Sequence, residues 1–197
     1  LKQDYSQTVK WYRLAADQNL AEAQFSLGVL YEFGPGVPQD YDEAEKWYRK
    51  ADERGDPGAQ NKLGTLYDKI QGVEQDYAEA VKWYRKAASQ GHSAGQNNLG
   101  FMYEKGRGVE QDYATAARWY RASAGDGYAE AQVNLGSLYE AGNGVSQDYV
   151  QAHKWYDLAV ANCSKAEAKA RRVARGKSRA IERKMTAAQI FQAKRLS

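Results

Sequence analysis

The amino-acid sequence predicts an all-α protein: a right-handed α-solenoid of stacked antiparallel helix pairs, closed by C-terminal capping helices. Three observations predict this fold class. A motif recurs every 36 residues. Apolar residues within each repeat follow helical spacing. The strand-favouring residues Val, Ile and Thr are few beside abundant Ala. One pair of amphipathic helices cannot enclose a core, whereas stacked pairs can.

Aromatic residues define the repeat. Asp-Tyr begins at residue 4 and recurs at 40, 76, 112 and 148, and Trp-Tyr begins at residue 11 and recurs at 47, 83, 119 and 155. All 5 Trp lie on this register, and of the 15 Tyr only Tyr128 lies off it. The register predicts a solenoid domain over residues 1–163. It starts with a half repeat at 1–19 and continues with full repeats near 20–55, 56–91, 92–127 and 128–163.

Each full repeat predicts two helices, A and B. In the first repeat, helix A spans roughly residues 21–33 and places Leu27 and Gly28 on its inner face. Helix B spans about residues 41–54 and places Trp47 on its inner face. A mid-helix Gly costs about 1 kcal/mol relative to Ala. Its recurrence in all four helices A predicts a close approach of two helices at that point.

Capping residues separate these helices at the expected places. Asp40 and its equivalents precede helix B, where a side-chain oxygen can accept a hydrogen bond from a free backbone N–H. Gly55 and its equivalents follow helix B, where a left-handed residue ends the helix. In the half repeat Asn19 takes that place, and Asn tolerates the same conformation.

These residues resemble the Sel1-like repeat family, whose repeats are similar to tetratricopeptide repeats. The matching residues in the first full repeat are Ala23-Gln24, Leu27-Gly28, Tyr31, Gly36-Val37, Asp40-Tyr41, Ala44, Trp47-Tyr48 and Ala51. The resemblance covers Asp4 to about Asn162. It implies an α-solenoid that acts as an adaptor, holding other proteins on the inner surface of its curve. Some relatives have disulfides between helices, but this sequence has 1 Cys and lacks those pairs.

Residues 164–197 form a second predicted region, a basic helical cap. They carry 11 Lys and Arg against 2 Glu, a net charge of +9, whereas residues 1–163 carry 17 against 23, a net charge of −6. A helix is predicted over residues 166–185. We expect this region to cover the apolar face of the last repeat and to dock partly by charge. The alternative is an electrostatic binder of nucleic acid or anionic membrane.

The sequence lacks the motifs of common enzyme classes. It has no zinc-protease motif, no P-loop and no dinucleotide-binding loop after a strand. We therefore expect no enzyme, no catalytic residue, no cofactor and no metal site. No apolar stretch approaches the ~20 residues of a membrane span. No leader is visible ahead of Leu1, so a cytoplasmic and an exported bacterial location both stay open.

The predicted partner-binding surface is the concave side of the solenoid, where helix A residues point away from the core and would hold a peptide or helix of another protein. The predicted residues are Glu22, Phe25, Val29, Glu32 and Phe33 in the first repeat; Asn61, Thr65, Asp68 and Lys69 in the second; Asn97, Phe101, Glu104 and Lys105 in the third; and Glu130, Val133, Ser137 and Glu140 in the fourth.

Two features of this surface suggest how it would bind. The acidic column at positions 32, 68, 104 and 140 would attract a basic segment. Phe25, Phe33 and Phe101 would serve as apolar anchors. The alternative for Phe25 and Phe33 is that they cover a neighbouring helix. The exposed half repeat also suggests self-association.

Overall fold

The computed structural model describes residues 5–69, 74–163 and 168–196. In chain order its helices are α1 (Tyr5–Asp17), α2 (Ala21–Phe33), α3 (Tyr41–Asp52), α4 (Pro57–Asp68), α5 (Tyr77–Ser89), α6 (Ser93–Lys105), α7 (Tyr113–Gly125), α8 (Ala129–Ala141), α9 (Tyr149–Asn162), α10 (Ala168–Glu182) and α11 (Ala187–Leu196). No strand occurs in these three ranges. The first residues of the predicted half repeat, 1–4, and of the predicted cap, 164–167, lie outside the described residues.

The helices belong to two compact units, Leu1–Gly95 and Gln96–Ser197. In the N-terminal unit, α1 packs on α2, α2 on α3, α3 on α4 and α4 on α5. In the C-terminal unit, α7 packs on α8, and α8 packs on α9. This succession of helix pairs confirms the predicted fold class. The predicted domain boundary after residue 163 stays a prediction.

In each repeat a Tyr ring of helix B packs closely against the Gly of helix A. Tyr48, Tyr84, Tyr120 and Tyr156 are at most 2% exposed. A Cβ at Gly136 would lie 2.7 Å from a ring carbon of Tyr156. The same contact recurs at Gly28, Gly64 and Gly100 with the other three Tyr rings. The predicted close approach is confirmed, since only Gly leaves room for the ring.

The helix ends also follow the sequence prediction. The Asp40 carboxylate accepts a hydrogen bond from the Glu43 backbone N–H at 3.0 Å, and the equivalent Asp caps α5, α7 and α9. Gly55 has φ of +77°, and Asn19 takes the same left-handed conformation with φ of +62°. Helix α2 has the predicted bounds, and α3 ends two residues earlier than predicted.

Two helices close the C-terminal unit. Both α10 and α11 pack on α9, and α10 also contacts α8. Ala174 and Ile181 of α10 are fully buried against residues of α8 and α9. The predicted capping helices are therefore confirmed. Over the described ranges, no helix has the length and apolar character that crossing a membrane requires.

Two Gly→Ala substitutions test the close approach between helices. We expect Gly136→Ala to lower the free energy of unfolding by about 2 kcal/mol, because the added methyl overlaps the Tyr156 ring. Gly176→Ala in α10 is the matched control, because its added methyl meets no atom within 4 Å. It should raise the free energy of unfolding by about 1 kcal/mol. Urea unfolding monitored by circular dichroism measures both. Destabilisation by both variants to the same extent would contradict the packing explanation.

Candidate partner-binding surfaces

The buried Tyr hydroxyls bond to the acidic column of the helices A. The Tyr48 hydroxyl donates a hydrogen bond to Glu32 at 2.5 Å, and the equivalent bonds are Tyr120 to Glu104 at 2.8 Å and Tyr156 to Glu140 at 2.9 Å. In the second repeat the Tyr84 hydroxyl instead lies 3.4 Å from the Thr65 hydroxyl. A buried hydroxyl without a partner is costly, so these carboxylates are structural acceptors.

Burial reinforces this role of the tyrosines. The loss of hydration and the negative charge of Glu32 raise the pKa of Tyr48 far above its ordinary value. Burial and the charge of Glu104 do the same for the pKa of Tyr120. Each hydroxyl thus keeps its proton and remains a donor at physiological pH.

Lysines of the chain itself neutralise three of these carboxylates. Lys62 pairs with Glu32 at 3.0 Å, Lys105 with Glu104 at 2.5 Å, and Lys184 with Glu140 at 3.0 Å. Glu32 is 5% exposed, so its predicted role as a partner contact is wrong. The physical reason is that its carboxylate accepts a hydrogen bond from Tyr48 and forms an ion pair with Lys62.

Asn97 is a second correction to the predicted surface. It is 2% exposed, and its side-chain oxygen accepts a hydrogen bond from the Asn134 amide at 3.0 Å. Asn97 therefore joins α6 to α8 and cannot reach a partner. Asn61 and Asp68 are partly buried.

Helix α10 lies over the predicted contact face of α8. The Lys177 ammonium donates to the Ser137 hydroxyl at 3.2 Å, and Lys184 donates to Glu140 at 3.0 Å. Val133 packs against the clusters that hold Ala174 and Ile181. The predicted docking of the basic region by charge is thus present, and it occupies part of the surface predicted for a partner.

A buried histidine that the sequence did not indicate as important joins α9 to α10. His153 is fully buried, with Nε2 3.1 Å from Glu182 and Nδ1 3.2 Å from Asp157. The Ser178 hydroxyl donates to Asp157 at 2.6 Å. The Ser178 hydroxyl also lies 3.4 Å from Nε2 of His153, and Ser178 is 6% exposed.

Register could have shown that His153 is buried. It occupies the repeat position of Val81 and Ala117, which are also buried. Among the described residues, no group of three or more His, Cys, Asp and Glu is placed to hold a metal ion.

The N-terminal unit keeps part of the predicted surface accessible. Phe33 is 63% exposed at the end of α2, with the Lys62 ammonium 4.8 Å from its ring centre. Glu22 and Lys69 are also exposed. Phe25 differs, because its ring lies 5.8 Å from that of Tyr48 and contacts Gly58. The alternative that it covers a neighbouring helix describes Phe25, whereas the Phe33 ring is exposed.

The C-terminal unit has two further accessible features. Phe101 is partly buried, and the cationic groups of Lys105 and Arg107 lie 5.6 and 5.3 Å from its ring centre. A groove of about 510 Å³ separates the first halves of α8 and α10. Its lining includes Tyr128, Ala129, Glu130 and Val133 on one side, and Ala170 and Val173 on the other. The sequence predicted Glu130 and Val133 as partner contacts. It did not predict that Ala170 and Val173 of α10 form the other side of this groove.

Paired Tyr→Phe variants test the acceptor role of the acidic column. Tyr48→Phe should lower the free energy of unfolding by about 2 kcal/mol, because it removes a hydrogen bond to the buried charge of Glu32. Tyr84→Phe should cost less than about 1 kcal/mol, because it loses only a long bond to Thr65. Urea unfolding compares the two. A larger effect of Tyr84→Phe would contradict the assignment.

The contacts of α10 and the turn after it also predict that the stability of the fold depends on pH. Partial burial opposes the shift, but hydrogen bonds from Lys184 and Tyr156 prevail and lower the pKa of Glu140. Lys194 and His153 lower the pKa of Glu182. A carboxyl whose pKa is lower in the folded state stabilises the fold above its ordinary pKa of 4.5. That stabilisation is lost as the pH falls through the folded value.

The Glu140→Gln/Glu182→Gln variant should therefore melt below the wild type at neutral pH. The difference in melting temperature should shrink as the pH falls below about 4. Thermal melts of both proteins from neutral to acidic pH measure this difference. A gap that stays constant over the whole range would show that these ionised carboxylates do not stabilise the cap.

Comparison with known families gives a match along most of the chain. The Sel1 repeat model matches residues 1–20, 21–56, 57–92, 93–128 and 129–162. No curated protein gives a significant match.

Solved structures of repeat proteins resemble this one. A Sel1 repeat protein from Oxalobacter formigenes is 43% identical with a TM-score of 0.78, and the match covers 83% of this chain and 67% of that one. The protective antigen c5321 of uropathogenic Escherichia coli, which has an SLR fold, is 37% identical with a TM-score of 0.82. That match covers 98% of this chain but only 40% of the antigen.

A more distant relative supports the fold alone. Helicobacter pylori cysteine rich protein B is 24% identical with a TM-score of 0.52, over 66% of this chain and 94% of that one. The repeat register, the five family matches and the two closer structures agree. The chain belongs to the Sel1 repeat family.

Proposed function

We propose that this chain is a non-enzymatic adaptor that holds a peptide or helix of another protein on the exposed side of its helices A. Sel1 repeat proteins generally mediate protein–protein interactions, and solenoids of this family are typically non-catalytic. The observation that carries the proposal is the exposure of Phe33. It is a large aromatic side chain that the chain's own packing leaves 63% exposed.

The neighbours of Phe33 suit it to be an anchor. Val29 lies one helical turn earlier on α2 and is partly buried, and the ammonium of Lys62 lies over one side of the ring. Burying an aromatic ring against a partner removes apolar surface from water. Aromatic side chains dominate the binding energy of many interfaces. Lys62 of α4 is the polar group that the structure places at this anchor.

Charge at this surface is already balanced within the chain. Lys62 is paired with the buried Glu32, so the surface has no free acidic column with which to recruit a basic ligand. Recognition in the N-terminal unit therefore rests on the Phe33 ring and its polar surroundings. This is the main change from the surface expected from the sequence.

Self-association through the half repeat stays a prediction. It is supported by the exposure of Trp11, Tyr12 and Leu14 on α1, at 69%, 37% and 56% respectively. Their equivalents Trp47 and Tyr48 in the first full repeat are buried, so α1 presents apolar surface that the full repeats cover.

A photo-crosslinking amino acid at position 33 tests the proposed surface in cells that make the protein. We expect protein adducts from position 33 and none from position 191, where Phe191 is 66% exposed on α11. The matched control thus compares two exposed Phe side chains. The variant Phe33→Ala should lose co-purification of the adducted protein by about tenfold, with an unchanged melting temperature.

Two results would contradict the proposal. Adducts of equal yield at both positions would mean that position 33 reports exposure alone. Undiminished co-purification with Phe33→Ala would mean that the ring is not an anchor.

A further inference from the structure

Helix α1 presents one apolar side to solvent. Trp11, Tyr12 and Ala15 lie on this side, because residues three and four positions apart are neighbours on a helix surface. Trp11 is 69% exposed, Tyr12 is 37% exposed, and Ala15 is partly buried. Another side of α1, which carries Val9 and Ala16, is buried in the core of the N-terminal unit. The helix is thus anchored on one side and open on the next.

The same side of helix B is covered in the full repeats of this unit. Tyr48 and Ala51 of α3 are the equivalents of Tyr12 and Ala15, and both are fully buried. Tyr84 of α5 is 2% exposed. The helix that covers each of them is the helix A that precedes it, α2 on α3 and α4 on α5. The chain itself therefore shows which kind of helix fits the open side of α1.

The Tyr of helix B selects particular residues on the covering helix. A Cβ at Gly64 would lie 2.6 Å from a ring carbon of Tyr84, so the ring accepts only Gly there. Leu63, which precedes this Gly, is fully buried. The hydroxyl of Tyr48 donates to Glu32 at 2.5 Å. All four helices A share this pattern, Leu-Gly with an acid at the fourth residue after the Gly.

We propose that the open side of α1 binds a helix of another protein that carries this pattern. The Gly of the bound helix receives the ring of Tyr12, its acid accepts a hydrogen bond from the Tyr12 hydroxyl, and its Leu is buried against α1. Binding of this kind continues the interface that joins helix A to helix B in every full repeat. The proposal shares with the Phe33 surface only the premise that the ligand is a protein.

A second copy of the chain does not supply such a helix. Each of its helices A already covers the Tyr of its own repeat, at positions 48, 84, 120 and 156. Residues 5–17, which form α1, include no Gly, so two α1 helices packed together cannot reproduce the close approach to a Tyr ring. Self-association through α1 would still cover Trp11 and Tyr12, and it is the competing occupant in the experiment.

Fluorescence anisotropy with the full chain and a labelled peptide tests the proposal. The probe has the sequence of residues 129–141, which carries the pattern and covers Tyr156 in the fold. We expect saturable binding of this peptide. The Gly136→Ala peptide should bind at least about tenfold more weakly, because its methyl group overlaps the Tyr12 ring. Ala favours the helical state more than Gly does, so a change in peptide helicity cannot explain that loss.

A double-mutant cycle tests the hydrogen bond of the Tyr12 hydroxyl. The Glu140→Gln peptide should bind the wild-type chain about fivefold more weakly than the unmodified peptide. Both peptides should bind the Tyr12→Phe chain equally within about twofold, because the hydroxyl that distinguishes them is absent. This comparison changes no ring packing and does not depend on a destabilised variant.

Two further variants locate the binding on α1. Tyr12→Ala should weaken binding of the unmodified peptide at least about tenfold. Phe191→Ala is the matched control, because it removes another exposed aromatic ring, on α11, and it should change binding less than about twofold. Circular dichroism melts verify that both variants are folded.

Three results would overturn the proposal. Equal binding of the unmodified and Gly136→Ala peptides would show that the Tyr12 ring does not select Gly. A loss of binding with Phe191→Ala equal to that with Tyr12→Ala would place the peptide elsewhere. In sedimentation velocity, a dimer that Tyr12→Ala dissociates but saturating peptide does not would assign α1 to a second copy. None of these results alters crosslinking from position 33, so failure here and failure at the Phe33 surface are distinguishable.

Discussion

The contact between the helix B Tyr and the helix A Gly determines much of this structure. The ring of Tyr156 occupies the space where a residue other than Gly136 would place its Cβ. The phenol is therefore buried, and its hydroxyl needs an acceptor within the protein. Glu140 is that acceptor, and its charge is paired with Lys184. One steric constraint thus leads to a chain of polar contacts that reaches the surface.

This chain of contacts explains which surface residues remain for a partner. Glu32 has the spacing of a ligand-facing residue, yet it completes the core of the first repeat. Phe33, the next residue, lies outside the core and is exposed. In a repeat protein, residues that recur in every repeat tend to satisfy the scaffold, because every repeat presents the same buried groups. The proposed recognition instead uses positions that differ between repeats, such as Phe33 and its equivalent Lys69.

The sequence predicted features that depend on local or periodic interactions. The bounds of α2, the Asp N-caps and the left-handed Asn19 follow from residues near in the chain. Burial of Glu32 and Asn97 was not predicted, because it depends on Lys62 and Asn134 from other helices. The bond of His153 to Glu182 was not predictable for the same reason, since Glu182 lies 29 residues away on another helix. An acid recurs 16 residues before each buried Tyr of helix B. This spacing was the available signal that the acidic column accepts hydrogen bonds from the Tyr hydroxyls.

The cations of α10 and of the turn that follows it divide between the side packed on the repeat and the side facing solvent. A cap requires an apolar face for its neighbour and a polar face for solvent, and mixed charges of both signs serve that purpose best. Here Lys177 of α10 and Lys184 after it contact the chain's own acceptors, whereas Arg172, Arg175 and Arg179 are exposed. Lysine is a compact point charge suited to single acceptors, whereas arginine offers a planar fork for carboxylates. The side of α10 that docks on its own repeat thus uses Lys177 and buried apolar residues, and the arginines take no part in that docking.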